Sequence, residues 1–321
     1  MKFSSILALA APLSTFASSL IPRQNAQPVG YASLNGGTTG GAGGASVTVS
    51  TYAELVAAVK GDTAAVVYIK GKITGAEKVR VGSNKSILGL DSSSGLTGFG
   101  LFIRAAKNII IRNIAISKVK TGNPGGDAIG VQESTNIWLD HLDLSSDLTS
   151  GKDYYDGLAD FSHGADYLTI SNTYFHDHFK ASLVGHSDNN GGEDKGKLRI
   201  TYANNYWKNI NSRMPLLRFG TAHVFNNVYD GGELGITAVN SRMGAQALVE
   251  STIFKNIDRA VLSVDSKEIG YAVTKDIILN GATSDAPLGT LTSVPYSYTL
   301  LGASKVESAV IGKAGNTLKL G

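Results

Sequence analysis

Three aspartates in the first half of the chain have the side-chain type and spacing of a cation site. Asp127 follows two glycines, and Asp156 and Asp160 lie four residues apart further along the chain. Because four is an even count, a strand running through 156–160 would point both carboxylates to the same face. Carboxylates that converge from adjacent segments, with water completing about six to eight oxygen ligands, suit Ca²⁺ better than Zn²⁺ or Mg²⁺. The spacing alone leaves two interpretations open, a calcium site and a set of solvated turn acids.

Three basic residues form a second group. Lys180 follows a phenylalanine, and Arg213 and Arg218 lie five residues apart. Beside the acidic group, such a cluster would suit a polyanion, because carboxylates of the polyanion can pair with arginine forks and bridge to the metal. Taken by themselves, the three residues are explained equally well as ordinary surface charge.

Histidine does not indicate a zinc site in this sequence. His176 and His178 are two residues apart and are expected to share a strand face if they lie on one strand. The chain has no HExxH motif, no third clustered ligand and no cysteine. A zinc centre is therefore disfavoured.

The composition indicates what kind of scaffold positions these residues. The chain has 321 residues, of which 42% are hydrophobic and 17% charged, so it can bury a large core. Its 38 glycines against 7 prolines favour many tight turns between short strands over long helices, which predicts an all-β fold. The formal net charge of +3 is too small to indicate a nucleic-acid-binding protein.

Short β-branched runs recur along the chain, each followed by a bend that contains a small polar residue. Six of these bend residues can be placed in register at steps of 28, 31, 32, 22 and 25 residues. They are Asn113, His141, Asn172, Asn204, Asn226 and Ser251. Steps of roughly 20 to 50 residues are typical of a solenoid, whose turns stack into parallel sheets along one axis. The aligned asparagines are then expected to form a ladder of mutually hydrogen-bonded amides, whereas a β-sandwich would need regular Asn-Gly or Asp-Gly hairpin turns that the chain lacks.

Insertions and one short helix complete the predicted scaffold. Long connections are expected at 117–127, 143–163, 179–197 and 206–222, and they hold nearly all the unusual residues. Thr51 and Glu54 have the spacing of a capping box, and Leu55, Val56 and Val59 supply an apolar stripe for a short N-terminal helix. We expect this helix to cover one end of the solenoid.

The N-terminus indicates export. Residues 1–19 combine Lys2, the apolar run Ile6–Leu13 and a small-residue region, which is the pattern of a signal peptide. The run is too short to span a membrane, and Pro12 interrupts it. We therefore divide the chain into a signal peptide (1–19), an irregular lead-in segment (20–46) and one solenoid domain (47–321), and we expect a secreted protein without a membrane anchor.

Five sequence motifs are specific enough to indicate a family. They are Gly126-Asp127-Ala128-Ile129, Trp138-Leu139-Asp140-His141, the stretch 156–160, His178-Phe179-Lys180-Ala181-Ser182-Leu183-Val184-Gly185-His186-Ser187 and Arg213-Met214-Pro215-Leu216-Leu217-Arg218. At these residues the chain resembles the pectate lyase family of polysaccharide lyases, in its fungal branch, and the resemblance covers nearly the whole mature chain. The resemblance implies a right-handed single-stranded parallel β-helix with a cleft along one sheet. It also implies calcium-dependent β-elimination of α-1,4-linked polygalacturonate, which gives 4,5-unsaturated products and degrades plant cell wall pectin.

The resemblance also assigns roles to the two charged groups. Asp127, Asp156 and Asp160 match calcium ligands, Arg213 matches the catalytic base, and Lys180 and Arg218 match substrate-binding positions. Bacterial relatives carry a further acid where this chain has Gly125, and a glutamate where it has Asp156. We therefore expect Ca²⁺ to bind weakly until carboxylates of the substrate join it. We also expect the enzyme to act as a monomer.

An arginine base requires an explanation, because a guanidinium normally keeps its proton far above neutral pH. A neighbouring Ca²⁺ together with Lys180 and Arg218 would favour the neutral form of Arg213, which predicts an alkaline pH optimum.

Three alternatives share parts of this pattern. A calcium-free pectin lyase should replace the aspartates with neutral or basic residues and line its cleft with aromatic residues, but this chain keeps three aspartates and has only two tryptophans. A polygalacturonase would hydrolyse with paired carboxylic acids and would not need the three basic residues. A non-catalytic carbohydrate-binding β-helix would need the groove without Arg213.

Overall fold

The computed structural model describes residues 26–122 and 126–321. The predicted signal peptide 1–19 lies outside the described residues, as does Gly125. In the described part, no helix is long and apolar enough to cross a membrane.

Short strands are the main regular elements of the described residues, and they build two sheets there, one of 17 strands and one of nine. The strands are β1 Ala45–Val49, β2 Ala65–Ile69, β3 Lys72–Thr74, β4 Val79–Val81, β5 Lys85–Gly89, β6 Gly95–Thr97, β7 Leu101–Arg104, β8 Lys107–Arg112, β9 Ala115–Ser117, β10 Ile129–Gln132, β11 Thr135–Asp140, β12 Asp143–Ser145, β13 Ala159–Ser162, β14 Asp166–Ser171, β15 Tyr174–Lys180, β16 Leu183–Val184, β17 Arg199–Ala203, β18 Tyr206–Ser212, β19 Leu216–Arg218, β20 Thr221–Phe225, β21 Val228–Asp230, β22 Thr237–Arg242, β23 Gln246–Lys255, β24 Arg259–Leu262, β25 Tyr271–Ile278 and β26 Thr283–Ser284.

Each coil of the chain returns to a strand parallel to its counterpart in the previous coil. The nine-stranded sheet, for example, runs β4, β7, β10, β13, β16, β19, β22, β24 and β26, every third strand of the sequence over most of its length. Parallel pairing between successive coils is the arrangement in which each coil buries the apolar face of its neighbour. The predicted parallel β-helix is confirmed.

The interior is filled by rows of like side chains from successive coils. Phe175, Trp207, Tyr229 and Phe254 are fully buried and stack in order, with ring centroids 4.0, 5.5 and 4.8 Å apart. Strand register produces this row, because Phe175 pairs with Trp207 and Trp207 with Tyr229 in the sheet. Such stacked rings add to the free energy of simple burial, and they give the functional residues on the outer face a rigid support.

The bend residues lie in the register that the sequence predicts. Asn113, His141, Asn172, Asn204, Asn226 and Ser251 all have φ between +44° and +60°, the left-handed region that asparagine tolerates better than most residues. The prediction that their amides form a ladder of mutual hydrogen bonds is largely wrong. Asn226 Nδ2 donates to Asn204 Oδ1 at 3.0 Å, but Asn113 and Asn226 mainly bond the C-terminal segment.

The buried ladder lies one residue further along the chain. Asn205 Oδ1 accepts from Thr173 N at 2.9 Å, and Asn227 Oδ1 accepts from Asn205 N at 3.1 Å. These three side chains are fully buried. The side chain that points into the coil therefore belongs to the residue after the left-handed bend residue. Its oxygen accepts a hydrogen bond from a backbone N–H of the preceding coil.

Helices occupy little of the described chain. Helix α1 (Tyr52–Val59) has the predicted capping box between Thr51 and Glu54, and it packs against β2 and β4. Leu55 and Val59 are fully buried, but Val56 is exposed, so its place in the apolar stripe was predicted wrongly. The sequence interpretation did not include α2 (Gly191–Asp194), α3 (Ala303–Val310) or the 3-10 turn Tyr31–Ser33.

The segment before β1 runs along the outside of the longer sheet. Tyr31 N bonds Thr201 Oγ1 at 3.1 Å, and ten residues later Gly41 N bonds Ser86 Oγ at 2.9 Å. The segment therefore crosses successive coils in the direction opposite to their order in the sequence.

The connections differ from prediction in part. Long connections do join β9 to β10 and β12 to β13, although 143–163 also contains β12 and the whole of β13. The predicted connection 206–222 is wrong, because this range is mostly strand and β18 is joined to β19 by three residues. The predicted connection 179–197 likewise contains the end of β15 and all of β16.

Candidate active site

The three aspartates lie around the start of two neighbouring strands of the nine-stranded sheet. Asp127 precedes β10 by two residues, and Asp160 is the second residue of β13. Strands β10 and β13 pair in parallel, with Gly130 opposite Asp160. Asp156 lies in the connection before β13, so no strand runs through 156–160, and the even spacing of the two aspartates does not itself place them on one face. The three aspartates nevertheless lie within electrostatic range of one another.

Backbone groups and glycines hold two of these carboxylates. Gly157 N donates to Asp127 Oδ1 at 3.1 Å, and Leu183 N donates to Asp160 Oδ1 at 2.9 Å. Gly130 leaves room for Asp127, because a β-carbon there would be 3.1 Å from Asp127 Oδ2. The positions of these two acids thus depend on backbone N–H groups and on the absence of a side chain at Gly130.

Mutual repulsion and burial make these carboxyls difficult to ionise together. Burial raises the pKa of Asp127 to about 7, and the charge of Asp156 acts in the same direction. Burial and the charge of Asp127 raise the pKa of Asp160 well above its ordinary value. The positive charge of Arg213 opposes both shifts, which places its guanidinium within electrostatic range of the acids. A cation bound between them would likewise favour the ionised forms.

The donor set fits a hard cation in type. All candidate donors are carboxylate oxygens, which is the chemistry that Ca²⁺ prefers. Among residues 26–122 and 126–321, however, no three acidic or histidine side chains are arranged to hold a metal ion by themselves. Asp156 Oδ1 instead lies 3.9 Å from Lys180 Nζ.

Lys180 and Arg213 lie at the ends of two neighbouring strands. Lys180 ends β15 and pairs with Ser212, the last residue of β18, so Arg213 is the next residue after this pair. Arg213 has φ +62°, and its carbonyl oxygen accepts a 2.8 Å hydrogen bond from Ser182 N. The Lys180 side chain is 10% exposed, and its Nζ lies 3.0 Å from Asp153 Oδ1.

Arg218 is held by Asp188, an aspartate of the preceding coil. Its Nε donates to Asp188 Oδ1 at 2.6 Å, and its Nη1 donates to Gly185 O at 2.9 Å. Asp188 Oδ2 in turn accepts from Ser266 Oγ and Lys267 N at 2.7 and 2.9 Å. Burial alone would raise the pKa of Asp188, but the Arg218 hydrogen bond and the other donors lower it below its ordinary value.

Three arginines line one cavity of ≈ 310 Å³, together with Asp265 and with Leu183, the residue whose N–H binds Asp160. The three arginines are Arg213, Arg218 and Arg242, and Arg242 pairs with Arg218 in the sheet. Burial and the charges of the other two arginines lower the pKa of Arg242. A cavity with this lining favours an anionic ligand, because each bound carboxylate relieves repulsion among the arginines.

Three residues of the site were missed by sequence reasoning. Asp153 contacts Lys180, Asp188 orients Arg218, and Arg242 lines the cavity. Asp188 directly follows a motif that was recognised, so extending that motif by one residue would have found it. Asp153 and Arg242 have no comparable local signal.

The two histidines of β15 do not share a face. His178 is buried, with Nδ1 2.6 Å from Ser146 Oγ, whereas His176 is partly exposed and pairs with Asp143 and Asp177. The cause is Asp177, whose φ of +49° interrupts the alternation of side chains between them.

Fold and site together define a parallel β-helix protein whose outer face combines clustered carboxylates with a cationic cavity. Such a surface suits a polymer that carries carboxylates of its own.

Comparison with known proteins identifies the family. A family model described as pectate lyase matches residues 6–318. Probable pectate lyase A of Neosartorya fischeri is 58% identical over 314 residues, which cover 98% of this chain and 95% of the relative. Pectate lyase A of Emericella nidulans is 54% identical over 316 residues, with 97% and 94% coverage. The chain therefore belongs to the pectate lyase family.

Solved structures agree with this assignment. A pectate lyase from Bacillus sp. N165 in complex with trigalacturonate matches with a TM-score of 0.80 and 34% identity, covering 90% of this chain and 98% of that one. A pectate lyase variant from Xanthomonas campestris matches with a TM-score of 0.77 and 29% identity, covering 92% and 99%.

Proposed function

We propose that this polysaccharide lyase degrades pectate by calcium-dependent β-elimination of α-1,4-linked polygalacturonate. In this proposal Asp127, Asp156 and Asp160 bind the metal, and Arg213 is the base. The observation that carries it is that consecutive residues contact both charged groups: Ser182 N donates to Arg213 O at 2.8 Å, and Leu183 N donates to Asp160 Oδ1 at 2.9 Å. The Bacillus relative, solved with trigalacturonate, supports the class of substrate.

The reaction requires removal of the proton on C5 of a uronate unit. Arg213, in its neutral form, accepts this proton, and the electron pair of the C5–H bond forms the C4–C5 double bond. The C4–O4 bond breaks, and O4 leaves with the departing chain and takes a proton from water. One new chain end is unsaturated and no water is added across the bond, which distinguishes the reaction from hydrolysis.

The acidic group prepares the uronate for this step. Bound Ca²⁺ would supply a Lewis acid that stabilises the negative charge developing beside C5. Asp127 and Asp160 are fixed by Gly157 N and Leu183 N, so their carboxylates are oriented before any ligand arrives. In this proposal carboxylates of the substrate would complete the ligand shell, so Ca²⁺ would bind weakly to the free enzyme.

Lys180 and Arg218 bind uronate carboxylates in this proposal. Arg218 is oriented by Asp188, which binds its Nε, and by Gly185 O, which binds its Nη1. Neither of these two partners binds Nη2. Lys180 Nζ pairs with Asp153 Oδ1 at 3.0 Å, and the Asp153 side chain is exposed to solvent. Arg218 is therefore held in position, Lys180 is largely buried, and both cations can still pair with an anion.

We further propose export, a monomeric state and the division of the mature chain at residue 46. The N-terminal pattern of residues 1–19 supports secretion, and polymeric pectin is a substrate that an exported enzyme would meet. The irregular backbone between residue 34 and β1 supports a lead-in segment outside the coils, although β1 begins at Ala45, two residues before the proposed start of the solenoid domain.

Ultraviolet absorbance of the unsaturated product tests the proposed function. Purified enzyme is incubated with polygalacturonate at alkaline pH, with Ca²⁺ and with excess chelator. We expect absorbance to rise with Ca²⁺ and to stop with chelator. Reducing ends without absorbance would identify a hydrolase, activity with chelator on methyl-esterified pectin would identify a pectin lyase, and binding without turnover would identify a carbohydrate-binding protein.

A further inference from the structure

Lys180 already has an anionic partner within the protein. Its Nζ lies 3.0 Å from Asp153 Oδ1 and 3.9 Å from Asp156 Oδ1. The lysine side chain is 10% exposed, whereas that of Asp153 is 85% exposed. A largely buried cation is therefore neutralised by a carboxylate that lies almost wholly in water.

The backbone that carries Asp153 is held in place, but its carboxylate is not. Thr121 Oγ1 donates to Asp153 O at 2.8 Å, and Thr121 N donates to Tyr154 O at 3.1 Å. Tyr155 OH donates to Asp147 Oδ2 at 2.7 Å, which fixes the connection further back. Within the described residues, the Asp153 carboxylate hydrogen-bonds to Lys180 alone. Rotation of one short side chain would therefore release Lys180 without any movement of the backbone.

We propose that Asp153 is an internal competitor of the substrate, which occupies Lys180 until a uronate carboxylate replaces it. The inference rests on the proposed function, because it requires Lys180 to bind uronate. An arriving uronate exchanges one carboxylate for another at the ammonium group, so Lys180 keeps a carboxylate at hydrogen-bond distance in addition to Asp156 at 3.9 Å.

The same exchange runs in reverse when product leaves. An anionic oligomer in a cationic cleft dissociates slowly if each departing carboxylate exposes an unpaired buried cation. Asp153 supplies a replacement at the lysine, which speeds product release at the expense of affinity. Its exposed position suits this role, because exposed ion pairs are weak and exchange readily.

Asp153→Asn tests the inference, since it keeps the shape of the side chain and removes its charge. We expect the inhibition constant of the purified unsaturated product, and KM for polygalacturonate, each to fall roughly two- to fivefold. The variant should fold normally, because the side chain is 85% exposed. An unchanged or higher inhibition constant would overturn the inference.

Two further variants separate this effect from a general change of charge. In a Lys180→Gln background, Asp153→Asn should have no effect on the inhibition constant. Glu133→Gln removes an exposed carboxylate that pairs with Arg104 at 2.8 Å, and it should leave the inhibition constant unchanged. A fall that persists without Lys180, or that Glu133→Gln reproduces, would also overturn the inference.

Lys180→Gln alone shows which claim has failed. If this variant leaves KM and product inhibition unchanged, Lys180 does not bind substrate, and this part of the proposed function is wrong. If it raises both constants while Asp153→Asn changes neither, the proposed function stands and only the competitor role of Asp153 is wrong.

Discussion

Gly157 lies directly against the carboxylate of Asp160, so closely that a β-carbon on the glycine would fall 2.6 Å from Asp160 Oδ2. The same glycine donates its N–H to Asp127 Oδ1 at 3.1 Å. One residue without a side chain therefore sets the positions of two of the three acids.

Gly157→Ala should disturb the proposed metal site without adding or removing a charge. The methyl group displaces either the Asp160 carboxylate or the amide that binds Asp127, since both cannot keep their positions. We expect the Ca²⁺ concentration that gives half-maximal activity to rise roughly tenfold or more. A calcium titration of lyase activity measures this concentration.

Gly151→Ala is the matched control for this change. It lies in the same connection, but nothing lies within 4 Å of the position its β-carbon would take. Its calcium titration should follow that of the unchanged protein. Equal titration curves for both alanine variants would contradict the role given to Gly157.

Asp188→Asn should weaken substrate binding through Arg218. Asp188 pairs with Arg218 Nε at 2.6 Å, and the amide would lose the charge that orients the guanidinium. We expect KM for polygalacturonate to rise roughly tenfold while kcat changes little, because Arg218 binds ground state and transition state alike. Steady-state kinetics measure both constants.

The control for Asp188→Asn is Asp285→Asn. Asp285 pairs with Arg259 at 2.9 Å and is not among the residues that line the arginine cavity. Its kinetics should match those of the unchanged protein. A fall in kcat with unchanged KM in Asp188→Asn would contradict a binding role for Arg218.

The coil register was predictable because every coil repeats the same local pattern of a β-branched run followed by a polar bend residue. Each coil must bury its apolar residues against the next, so the bend residues recur at intervals that the sequence displays. The capping box at Thr51 was equally visible, because its partners lie three residues apart. The acidic and basic groups could both be recognised from the sequence, because their motifs lie on neighbouring coils.

Other features depend on how long each coil is. Asp153 reaches Lys180 across 27 residues, and Arg242 pairs with Arg218 across 24. Such pairs arise only after every connection has been placed, and the bounds of the strands around 206–222 were wrong. Asp177 illustrates the limit locally, since one left-handed residue reverses the face of the side chains that follow it.

Asn227→Ala should destabilise the β-helix through its buried ladder. Asn227 Oδ1 accepts from Asn205 N at 3.1 Å, and its Nδ2 donates to Tyr202 O and Phe225 O, each at 2.8 Å. Alanine leaves these backbone groups unsatisfied, and we expect a loss of about 2 to 4 kcal/mol in the free energy of unfolding. Urea denaturation measures the loss.

The exposed Asn189 provides the comparison. Asn189→Ala should change the free energy of unfolding by no more than about 0.5 kcal/mol, as is usual at the surface. If Asn227→Ala were equally mild, the buried ladder would have no structural importance.

His223 should make stability depend on pH. Burial lowers its pKa to about 4, although Glu250, 3.0 Å away, acts in the opposite direction. Lys275, Tyr296 and Tyr298 are the other titratable groups facing this pair. Because the unfolded chain has the ordinary pKa of 6.5, His223 stabilises the fold above that pH, and this contribution disappears as the pH falls towards 4.

His223→Gln isolates this contribution. Between pH 7 and pH 4 the unchanged protein should lose on the order of 3 kcal/mol more stability than the variant. Urea midpoints across this range measure the difference. Parallel losses in the two proteins would show that His223 does not couple folding to protons.

The catalytic role of Arg213 is tested most directly by Arg213→Lys. We expect kcat, measured by ultraviolet absorbance of the unsaturated product, to fall by a factor of about 10² to 10⁴, because the general base is lost. The urea midpoint and the Ca²⁺ affinity, measured by calorimetry, should stay nearly unchanged, since a lysine keeps the positive charge near Asp127 and Asp160. A kcat close to that of the unchanged protein would contradict the account.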